Sequence, residues 1–326
     1  MDRRQRAVIE RARQRRAQRQ RISWLPLLLG LGLVLTCLGM ALLAALWGMS
    51  QMLPGSASLP TVAPGPSPTV LLLGIDRRAD ETGPTRSDSM ILLGSQAGRD
   101  GAALLSIPRD LWVNIPGVGD QRINTALFFG HDPDDPHAGP QLAARTVRQE
   151  LRRPVDRYLL LDFATFVRTV DALGGVEIDV PAPIVDTEYP TPDDGVTTIR
   201  FDPGPQAMDG ERALVYVRTR HSDGDFSRSM RQLQVLQALA AKAIQPATWP
   251  RLPELYRVLR AGVVTDLTAS DGPALLQLAS ALAGGEVKAA TLEAATTPWI
   301  TPGGAWVLLP NGRAIEQIVT ELFGPG

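Results

Sequence analysis

TVLLLGIDRRADETGPTRSDSMILLG, residues 69–94, contains two short apolar runs joined by a polar loop that includes Gly83 and Pro84. Short runs of Val, Ile and Leu between turn-forming residues are typical of buried β-strands. Asp76 ends the first run, and Asp88 comes just before the second. If the two strands pair as a hairpin, both carboxylates lie at the same edge of the sheet.

Two carboxylates at one sheet edge, with arginines between them, indicate a site for a divalent cation and phosphate. Mg²⁺ is bound in proteins by one or two carboxylates together with phosphate oxygens, and Mn²⁺ accepts the same oxygen ligands. Arg78 and Arg86 lie in the intervening loop, and the guanidinium fork matches phosphate geometry. The alternative is that Asp76 and Asp88 cap turns and the arginines form ordinary surface ion pairs.

After residue 69 the sequence alternates between strand-like runs and helical periodicity. Further strands are predicted at residues 102–107, 158–162, 176–180, 214–217 and 306–309, and helices at 140–151, 162–175, 226–244, 270–283 and 313–322. Asp162 is expected to cap the second of these helices, and Gly174-Gly175 to end it. Strands that alternate with helices predict an α/β fold, a layered α/β/α sandwich with a mixed central sheet.

The N-terminal region predicts a membrane anchor. Residues 1–22 form a basic arm with nine arginines, and residues 22–75 contain no charged residue. Residues 23–47 are long and apolar enough for one transmembrane helix, with Trp24 and Trp47 near its ends. Because the arginines lie on the N-terminal side, that side is predicted to be cytoplasmic and the remainder extracytoplasmic. The chain is thus predicted to be a single-pass protein of the cell membrane.

The segment after the predicted span reads as a linker. Residues 48–68 are rich in Pro, Gly and Ser, as extended linkers are, and residues 69–326 are expected to form the extracytoplasmic domain. The alternative is a signal peptide cleaved near Ser56-Ala57-Ser58, although the apolar region of such a peptide would be shorter.

A second basic position lies just beyond a predicted strand. Arg109 and Asp110 follow the strand at 102–107, and Pro108 ends it. Ligands of α/β sheets bind beyond strand ends, so Arg109 is a candidate phosphate ligand. The alternative is a surface ion pair between Arg109 and Asp110, which would contribute little.

The third cluster is RTRHSDGDFSRSMRQ, which begins at Arg218. Arg218 and Arg220 lie two apart in a run expected to be extended, so they would point to one face. Arg228, Arg231 and Gln232 have i, i+3, i+4 spacing on a predicted helix. Together these side chains predict an anion site, whereas the alternative is a solvated basic surface.

Composition excludes several kinds of chemistry. The single cysteine, Cys37, lies in the predicted span, so the exported part has neither a disulfide nor a thiol nucleophile. The three His residues form no HExxH motif, which argues against a zinc site. Three arginine clusters, two carboxylates and a membrane anchor together indicate a lipid-linked phosphate as the substrate class.

In this order the motifs resemble those of the LytR-CpsA-Psr family of bacterial cell-envelope proteins. The resemblance covers about residues 69–245 and rests on LLLGIDRR, RSDSMILL, LLSIPRDLWVNIPGVGDQRINTALFFG, RPVDRYLLLDFATFVRTVDALGGVEIDV and MDGERALVYVRTRHSDGDFSRSMRQLQVL. Two positions depart from the family pattern, since Ser89 stands where Thr is frequent and Arg122 where Lys is usual.

The resemblance implies a Mg²⁺-dependent phosphotransferase that moves a glycopolymer from a polyprenyl pyrophosphate carrier onto peptidoglycan through a phosphodiester. The carrier's chain would lie in an apolar tunnel. Asp76 and Asp88 would hold the metal. The pyrophosphate would be bound by Arg109, Arg218, Arg220, Arg228 and Gln232, with Arg78 and Arg86 as weaker matches. The general base stays open among Asp88, Asp110 and a metal-bound species.

Two other functions are compatible with the same residues. The domain could bind polyprenyl phosphate without catalysis, as an envelope sensor or assembly factor, or it could hydrolyse polyprenyl pyrophosphate with water as acceptor. A DNA-binding regulator is disfavoured, because the arginine clusters lie outside the cytoplasm in the predicted topology.

Overall fold

The computed structural model describes residues 68–77, 83–99, 101–191, 195–219 and 224–325 of the 326-residue chain. The predicted arm and span, and almost all of the predicted linker, lie outside the described residues. Within the described ranges, no helix combines the length and apolar character that crossing a membrane requires. The strands and the site belong to one unit, Pro64–Leu267 with Pro273–Gly326; of the other unit the structure describes only Thr268–Gly272, a short turn with a capping box.

The described chain alternates strands and helices. The strands are β1 (Val70–Ile75), β2 (Ser89–Ser95), β3 (Ala102–Ser106), β4 (Trp112–Ile115), β5 (Gly119–Arg122), β6 (Arg157–Asp162), β7 (Val176–Val180), β8 (Ile184–Pro190), β9 (Val196–Phe201), β10 (Gly204–Met208), β11 (Val263–Thr265), β12 (Val287–Thr291), β13 (Thr296–Ile300) and β14 (Trp306–Pro310). The helices are α1 (Thr125–Phe129), α2 (Ala138–Leu151), α3 (Phe163–Ala172), α4 (Gly210–Arg218), α5 (Gly224–Ala243), α6 (Leu252–Gly262), α7 (Gly272–Ala283) and α8 (Gly312–Phe323), with 3₁₀ turns at Pro246–Arg251, Ala269–Asp271 and Leu292–Ala295.

Six of the described strands form a mixed sheet in the order β11-β6-β1-β2-β3-β12. Strand β1 pairs antiparallel with β2 and parallel with β6. The hairpin expected from residues 69–94 is confirmed, because Gly74 lies opposite Ser89 and the Asp88 amide donates to the Gly74 carbonyl at 2.8 Å. Asp76 and Asp88 therefore lie at the same end of this hairpin.

Helices cover both faces of the sheet, as the alternation of side chains along the strands requires. One face of β1 to β3 packs against α2 and α8, through residues that include Leu71, Leu73, Leu92, Leu105, Leu142, Val147, Ile315 and Leu322. The other face packs against α5 and α7, through Leu93, Ala102, Leu104, Leu233, Leu278 and Leu282. The predicted α/β class with a mixed central sheet is confirmed.

Helix α3 begins and ends where the sequence predicts. The Asp162 carboxylate accepts a hydrogen bond from the Thr165 amide at 2.7 Å, which satisfies one of the free donors of the first turn. Gly174 and Gly175 follow the helix with φ of +84° and +81°, a conformation that costs glycine little. This helix carries Phe163 and Phe166 toward the site described below.

The predicted strand at residues 214–217 is wrong, because this segment belongs to helix α4. The Asp209 carboxylate caps α4 by accepting from the Arg212 amide at 2.9 Å. Short apolar runs do not distinguish a buried strand from a buried helix. The expectation that Arg218 lies in an extended run is therefore wrong as well, since Arg218 is in the last turn of α4.

Candidate active site

An apolar cavity of about 670 Å³ lies on the α3 and α5 side of the sheet. Its apolar wall comes from the strands and from helices α3, α4, α5 and α6 and includes Leu72, Ile91, Leu161, Phe166, Leu214, Leu239 and Leu259. Its charged and amide side chains include Asp76, Asp88, Arg109, Arg218, Arg228 and Gln232. The side chains of Asp76, Asp88, Arg109 and Arg218 are 31–47% exposed, so they lie at the solvent-facing end of the cavity.

Each of the two aspartates is paired with an arginine from another part of the chain. Arg109 Nη1 lies 2.8 Å from Asp88 Oδ1, and Arg218 Nη2 lies 3.2 Å from Asp76 Oδ2. The structure thus brings together, at one end of one cavity, Asp76, Asp88, Arg109 and Arg218, which come from four separate sequence motifs. Partly exposed pairs of this kind contribute at most about 1 kcal/mol, so both partners can exchange them for a ligand.

Aromatic rings fix the Arg218 guanidinium. Its carbon Cζ lies 4.7 Å from the Phe163 ring centroid and 5.8 Å from that of Tyr189, within the range of cation–π contacts. Burial raises the pKa of the Tyr189 hydroxyl, and the positive charge of Arg218 opposes that rise. The hydroxyl is therefore neutral at physiological pH and available as a hydrogen-bond donor at the cavity.

Arg109 is supported by a second carboxylate. Asp110 Oδ2 lies 3.5 Å from Arg109 Nε, and Asp110 Oδ1 lies 3.3 Å from Arg122 Nε. The Arg109 carbonyl also accepts from the Asn124 amide at 3.3 Å. Asp110 is not part of the large cavity's wall and lies instead beside a smaller recess next to it.

The third cluster divides between the cavity and the protein interior. Arg228 and Gln232 line the cavity, and Gln232 Oε1 accepts a hydrogen bond from Ser89 Oγ at 3.4 Å, which links α5 to the β1–β2 hairpin. Arg231 departs from the prediction, because it is only 4% exposed, contributes nothing to the cavity wall and donates to the Thr219 carbonyl. Its guanidinium also lies 6.0 Å from the Tyr216 ring centroid.

Of the three other predicted positions, only Arg86 is among the described residues, and it does not line the cavity. Arg86 is exposed, lies 5.9 Å from the Phe128 ring centroid and is absent from the cavity wall. Arg78 and Arg220 lie outside the described residues.

The sequence did not reveal a buried hydrogen bond next to Arg218, between Thr219 and Asp186, which we call the tether. Asp186 is 1% exposed, and its Oδ2 accepts from Thr219 Oγ1 at 2.6 Å. Since Arg231 binds the Thr219 carbonyl, both the side chain and the backbone of Thr219 are held. No spacing or motif marks Asp186 in the sequence, because its partner lies 33 residues away.

The Asp76 and Asp88 carboxylates fit a Mg²⁺ site better than a zinc site. Among the described residues, no group of three or more His, Cys, Asp or Glu side chains could hold a metal ion. Asp76 and Asp88 alone would not make a zinc site, which takes three or four protein ligands. Two carboxylates beside phosphate-binding arginines do fit Mg²⁺, which keeps several waters and takes its remaining ligands from substrate phosphates.

Comparison with known proteins places the chain in a family. The LytR_cpsA_psr family model matches residues 61–324. The polyisoprenyl-teichoic acid–peptidoglycan teichoic acid transferase TagU of Oceanobacillus iheyensis is 33% identical over 257 residues, which are 78% of this chain and 75% of TagU. TagT of Bacillus subtilis, which carries the same transferase name, is 30% identical over 258 residues, with the same two coverages.

Solved structures agree with this assignment. TagT bound to LIIa-WTA has a TM-score of 0.60 and 28% identity, and the match covers 82% of this chain and 97% of that one. The crystal structure of B. subtilis TagV has a TM-score of 0.59 and 25% identity, covering 78% and 96%. The chain belongs to the LytR-CpsA-Psr family.

Proposed function

We propose that this protein is a membrane-anchored phosphotransferase that moves a glycopolymer from a polyprenyl pyrophosphate carrier onto peptidoglycan through a phosphodiester bond. The observation that carries the proposal is the apolar cavity of about 670 Å³ with Asp76, Asp88, Arg109, Arg218 and Arg228 at its polar end. The relatives named as teichoic acid transferases support the choice of a cell-wall glycopolymer as donor and peptidoglycan as acceptor.

The two ends of the cavity suit the two ends of such a donor. A prenyl chain gains roughly 25 cal/mol per Å² of apolar surface that leaves water, and the leucines and phenylalanines of the wall provide that environment. The pyrophosphate would then lie among Arg109, Arg218 and Arg228, whose planar forks bind phosphate oxygens in pairs. The amide of Gln232 supplies a neutral donor beside them.

Donor binding would replace the two arginine–aspartate ion pairs of the site with arginine–phosphate contacts. When the pyrophosphate takes the guanidinium groups of Arg109 and Arg218, the carboxylates of Asp88 and Asp76 become available to a Mg²⁺ ion, or to Mn²⁺ with the same oxygen ligands. The bound ion would neutralise charge on the phosphate oxygens. Metal and donor are therefore expected to bind cooperatively.

The proposed reaction is an in-line displacement. A peptidoglycan sugar hydroxyl attacks the phosphorus next to the glycan, a new O–P bond forms, and the P–O bond to the lipid phosphate breaks. Polyprenyl phosphate leaves, and the arginines stabilise the charge that develops on its oxygens. The hydroxyl proton passes to a base, for which this chain offers Asp88 and Asp110 on either side of Arg109.

Arg109→Ala tests the proposal. We expect glycopolymer transfer by the full-length protein to fall at least about 100-fold, the usual cost of one lost charge-stabilising donor, while the melting temperature stays within a few degrees. Arg200→Ala is the control, because Arg200 pairs with Asp202 on an exposed surface. Undiminished transfer by the Arg109→Ala protein would overturn the proposal. Polyprenyl phosphate released without a glycan–peptidoglycan product would instead indicate a hydrolase, and no release at all a binding protein.

The proposal includes one transmembrane helix at residues 23–47, with the N-terminus in the cytoplasm and residues 69–326 outside it. It is supported by the nine arginines before the apolar run. In a Cys37→Ala background, a membrane-impermeant thiol reagent should label Ser58→Cys in intact cells and Gln5→Cys only after permeabilisation. The reverse labelling pattern would exclude this topology.

A further inference from the structure

A second recess shares a wall with the apolar cavity. It is small, about 20 Å³, and Asp88, Ser89, Arg109, Arg228 and Gln232 line both spaces. The remainder of its wall carries hydroxyl and carboxylate groups and one indole ring, from Ser106, Ser229, Asp110, Thr291, Glu293 and Trp306, together with the apolar residues Met90, Ile107, Pro108 and Leu308. Unlike the large cavity, this recess of about 20 Å³ is too small to take a prenyl chain.

Trp306 stands at the edge of the hairpin formed by β13 and β14. It lies directly opposite Ile300, and opposed residues of an antiparallel pair point to the same face. Trp306 is 48% exposed and Ile300 64% exposed, so the two present a small apolar platform beside the recess. Trp299 lies on the other face of the hairpin, opposite Val307.

A hydrogen bond connects the β13–β14 hairpin to Asp110, the residue that follows Arg109 in the chain. The Leu308 amide donates to the Asp110 carbonyl at 2.9 Å. Arg122 donates to the Trp306 carbonyl at 2.6 Å, and its Nε lies 3.3 Å from the Asp110 carboxylate. Asp110 in turn pairs with Arg109, so a continuous set of polar contacts fixes the Trp306 backbone relative to the arginine at the cavity.

The geometry of in-line displacement indicates that the acceptor hydroxyl approaches through the recess. The attacking and leaving oxygens lie on opposite sides of the phosphorus. The leaving polyprenyl phosphate is on the side of the apolar cavity, so the attacking hydroxyl must approach from another side. The recess reaches Asp88 and Arg109 from a wall that the lipid does not use.

The chemistry of the recess matches a sugar. The axial C–H face of a pyranose stacks on an aromatic ring, while its hydroxyls bind serine, threonine and carboxylate groups. Trp306 provides the ring, and Ser106, Ser229 and Glu293 lie around the recess beside it. The Ser106 and Ser229 hydroxyls are 3.0 Å apart and hydrogen-bond to each other, so they form one polar pair in the wall of the recess.

We propose that the face of the β13–β14 hairpin bearing Trp306 and Ile300 is the acceptor subsite. A sugar ring of a peptidoglycan glycan strand stacks on the Trp306 indole, and its hydroxyl enters the recess toward Asp88 and Arg109. This inference rests on the proposed function and adds the location and the stacking residue of the second substrate.

The test separates acceptor binding from donor binding. Full-length protein in detergent is given a saturating polyprenyl pyrophosphate-linked glycan, and the concentration of soluble, uncrosslinked glycan strands is varied. Trp306→Ala should raise the acceptor KM about ten-fold or more, the loss expected when a stacked indole is removed. The donor KM, measured by varying the donor at saturating acceptor, should be unchanged. Trp306→Phe should retain most of the acceptor affinity. Trp299→Ala, on the opposite face, is the matched control and should behave like the parent protein.

Two results would overturn the inference: an unchanged acceptor KM in Trp306→Ala, or an equal rise in Trp299→Ala. Direct titration of the glycan strands into donor-free protein gives a readout that does not need turnover, and there Trp306→Ala should bind at least about ten-fold more weakly than the parent. If the parent transfers no glycan but binds the strands through Trp306, the proposed function fails and the subsite stands. If it transfers glycan with no effect of Trp306, only the subsite fails.

Discussion

Two arginines on helix α4 illustrate how similar contacts have different consequences. Arg218 lies over the Phe163 and Tyr189 rings at the cavity, whereas Arg212 lies 4.3 Å from the Phe201 ring centroid and is exposed elsewhere. Both are cation–π pairs on the same helix, but only Arg218 also pairs with Asp76. The difference makes Arg212 a control for any effect of losing a stacked guanidinium.

Arg218→Lys should reduce kcat/KM for the donor about ten-fold or more without a change in melting temperature. Lysine keeps the charge but loses the planar fork and its contact with the two rings. Steady-state transfer rates and thermal denaturation check this, with Arg212→Lys expected to retain parental activity. Equal losses in the two variants would show that helix stability, rather than the anion contact, is responsible.

Thr219→Val should weaken both stability and activity, because it removes the hydrogen bond to the buried Asp186 carboxylate while keeping the branched shape. We expect about 1–3 kcal/mol of lost unfolding free energy and a several-fold rise in donor KM, since Thr219 adjoins Arg218. Denaturant unfolding and donor titration measure the two effects. A stability loss with an unchanged donor KM would mean that the tether does not position the arginine.

Single residues also mark the limit of sequence reasoning. On a helix with about 100° per residue, Arg231 lies roughly 60° to one side of Arg228 and Gln232 roughly 40° to the other. The i, i+3, i+4 pattern therefore cannot decide which flank faces the cavity, and the structure selects Gln232. Asp76 and Asp88 could be placed together because one hairpin fixes both, whereas Asp186 depends on a contact with a distant segment.

At the level of elements, helix α4 depends on a glycine where it meets α3. A Cβ at Gly210 would overlap the Val167 carbonyl, so α4 approaches α3 more closely than any other residue would allow. Gly312 begins α8 after the Asn311 cap in the same way, but no atom lies within 4 Å of the position of its Cβ. The two glycines therefore have equivalent places in their helices and different surroundings.

Gly210→Ala should destabilise the protein by about 1–3 kcal/mol through overpacking and lower transfer activity, because α4 carries Arg218. Gly312→Ala is the matched control and should be neutral or stabilising by up to about 1 kcal/mol. Chemical denaturation and transfer rates on both variants check the pair. Parental stability in Gly210→Ala would contradict the close packing of α3 and α4.

Elements with a strong burial pattern were predictable, and those defined by pairing alone were not. Strands β1, β2, β3, β6, β7 and β14 and helices α2, α3, α5, α7 and α8 follow from the apolar periodicity of the sequence. Strand β9 reads VTTIRF and is mostly exposed, and it exists through its register with β8. The run within α4 could not be assigned, because four apolar residues fit either period.

For the whole molecule, the family resemblance implies an apolar tunnel, but the residues that line it cannot be identified from the sequence. Phe166 and Val170 share helix α3, yet Phe166 lines the cavity while Val170 is fully buried in the core. Apolar positions on a helix look alike whether they pack against the protein or against a lipid. Only the relative placement of the sheet with α3, α5 and α6 leaves the space open.

Filling the cavity with a larger side chain should slow transfer from a long-chain donor more than transfer from a short-chain donor. Leu259→Trp, on α6 at the cavity wall, should slow transfer from a long polyprenyl donor about ten-fold and affect a short prenyl donor much less, because only the long chain needs the full volume. Leu276→Trp on α7 is the control, since Leu276 is exposed and outside the cavity. Equal effects on the two donors would argue against lipid occupancy.

The most direct test of the account is a crystal structure of the protein with a polyprenyl phosphate and Mg²⁺. The account predicts prenyl density along Leu161, Phe166 and Leu239, a phosphate bound by Arg109, Arg218 and Arg228, and a metal ion between Asp76 and Asp88. A lipid bound elsewhere on the protein, or a phosphate without contact to Arg109 and Arg218, would contradict it.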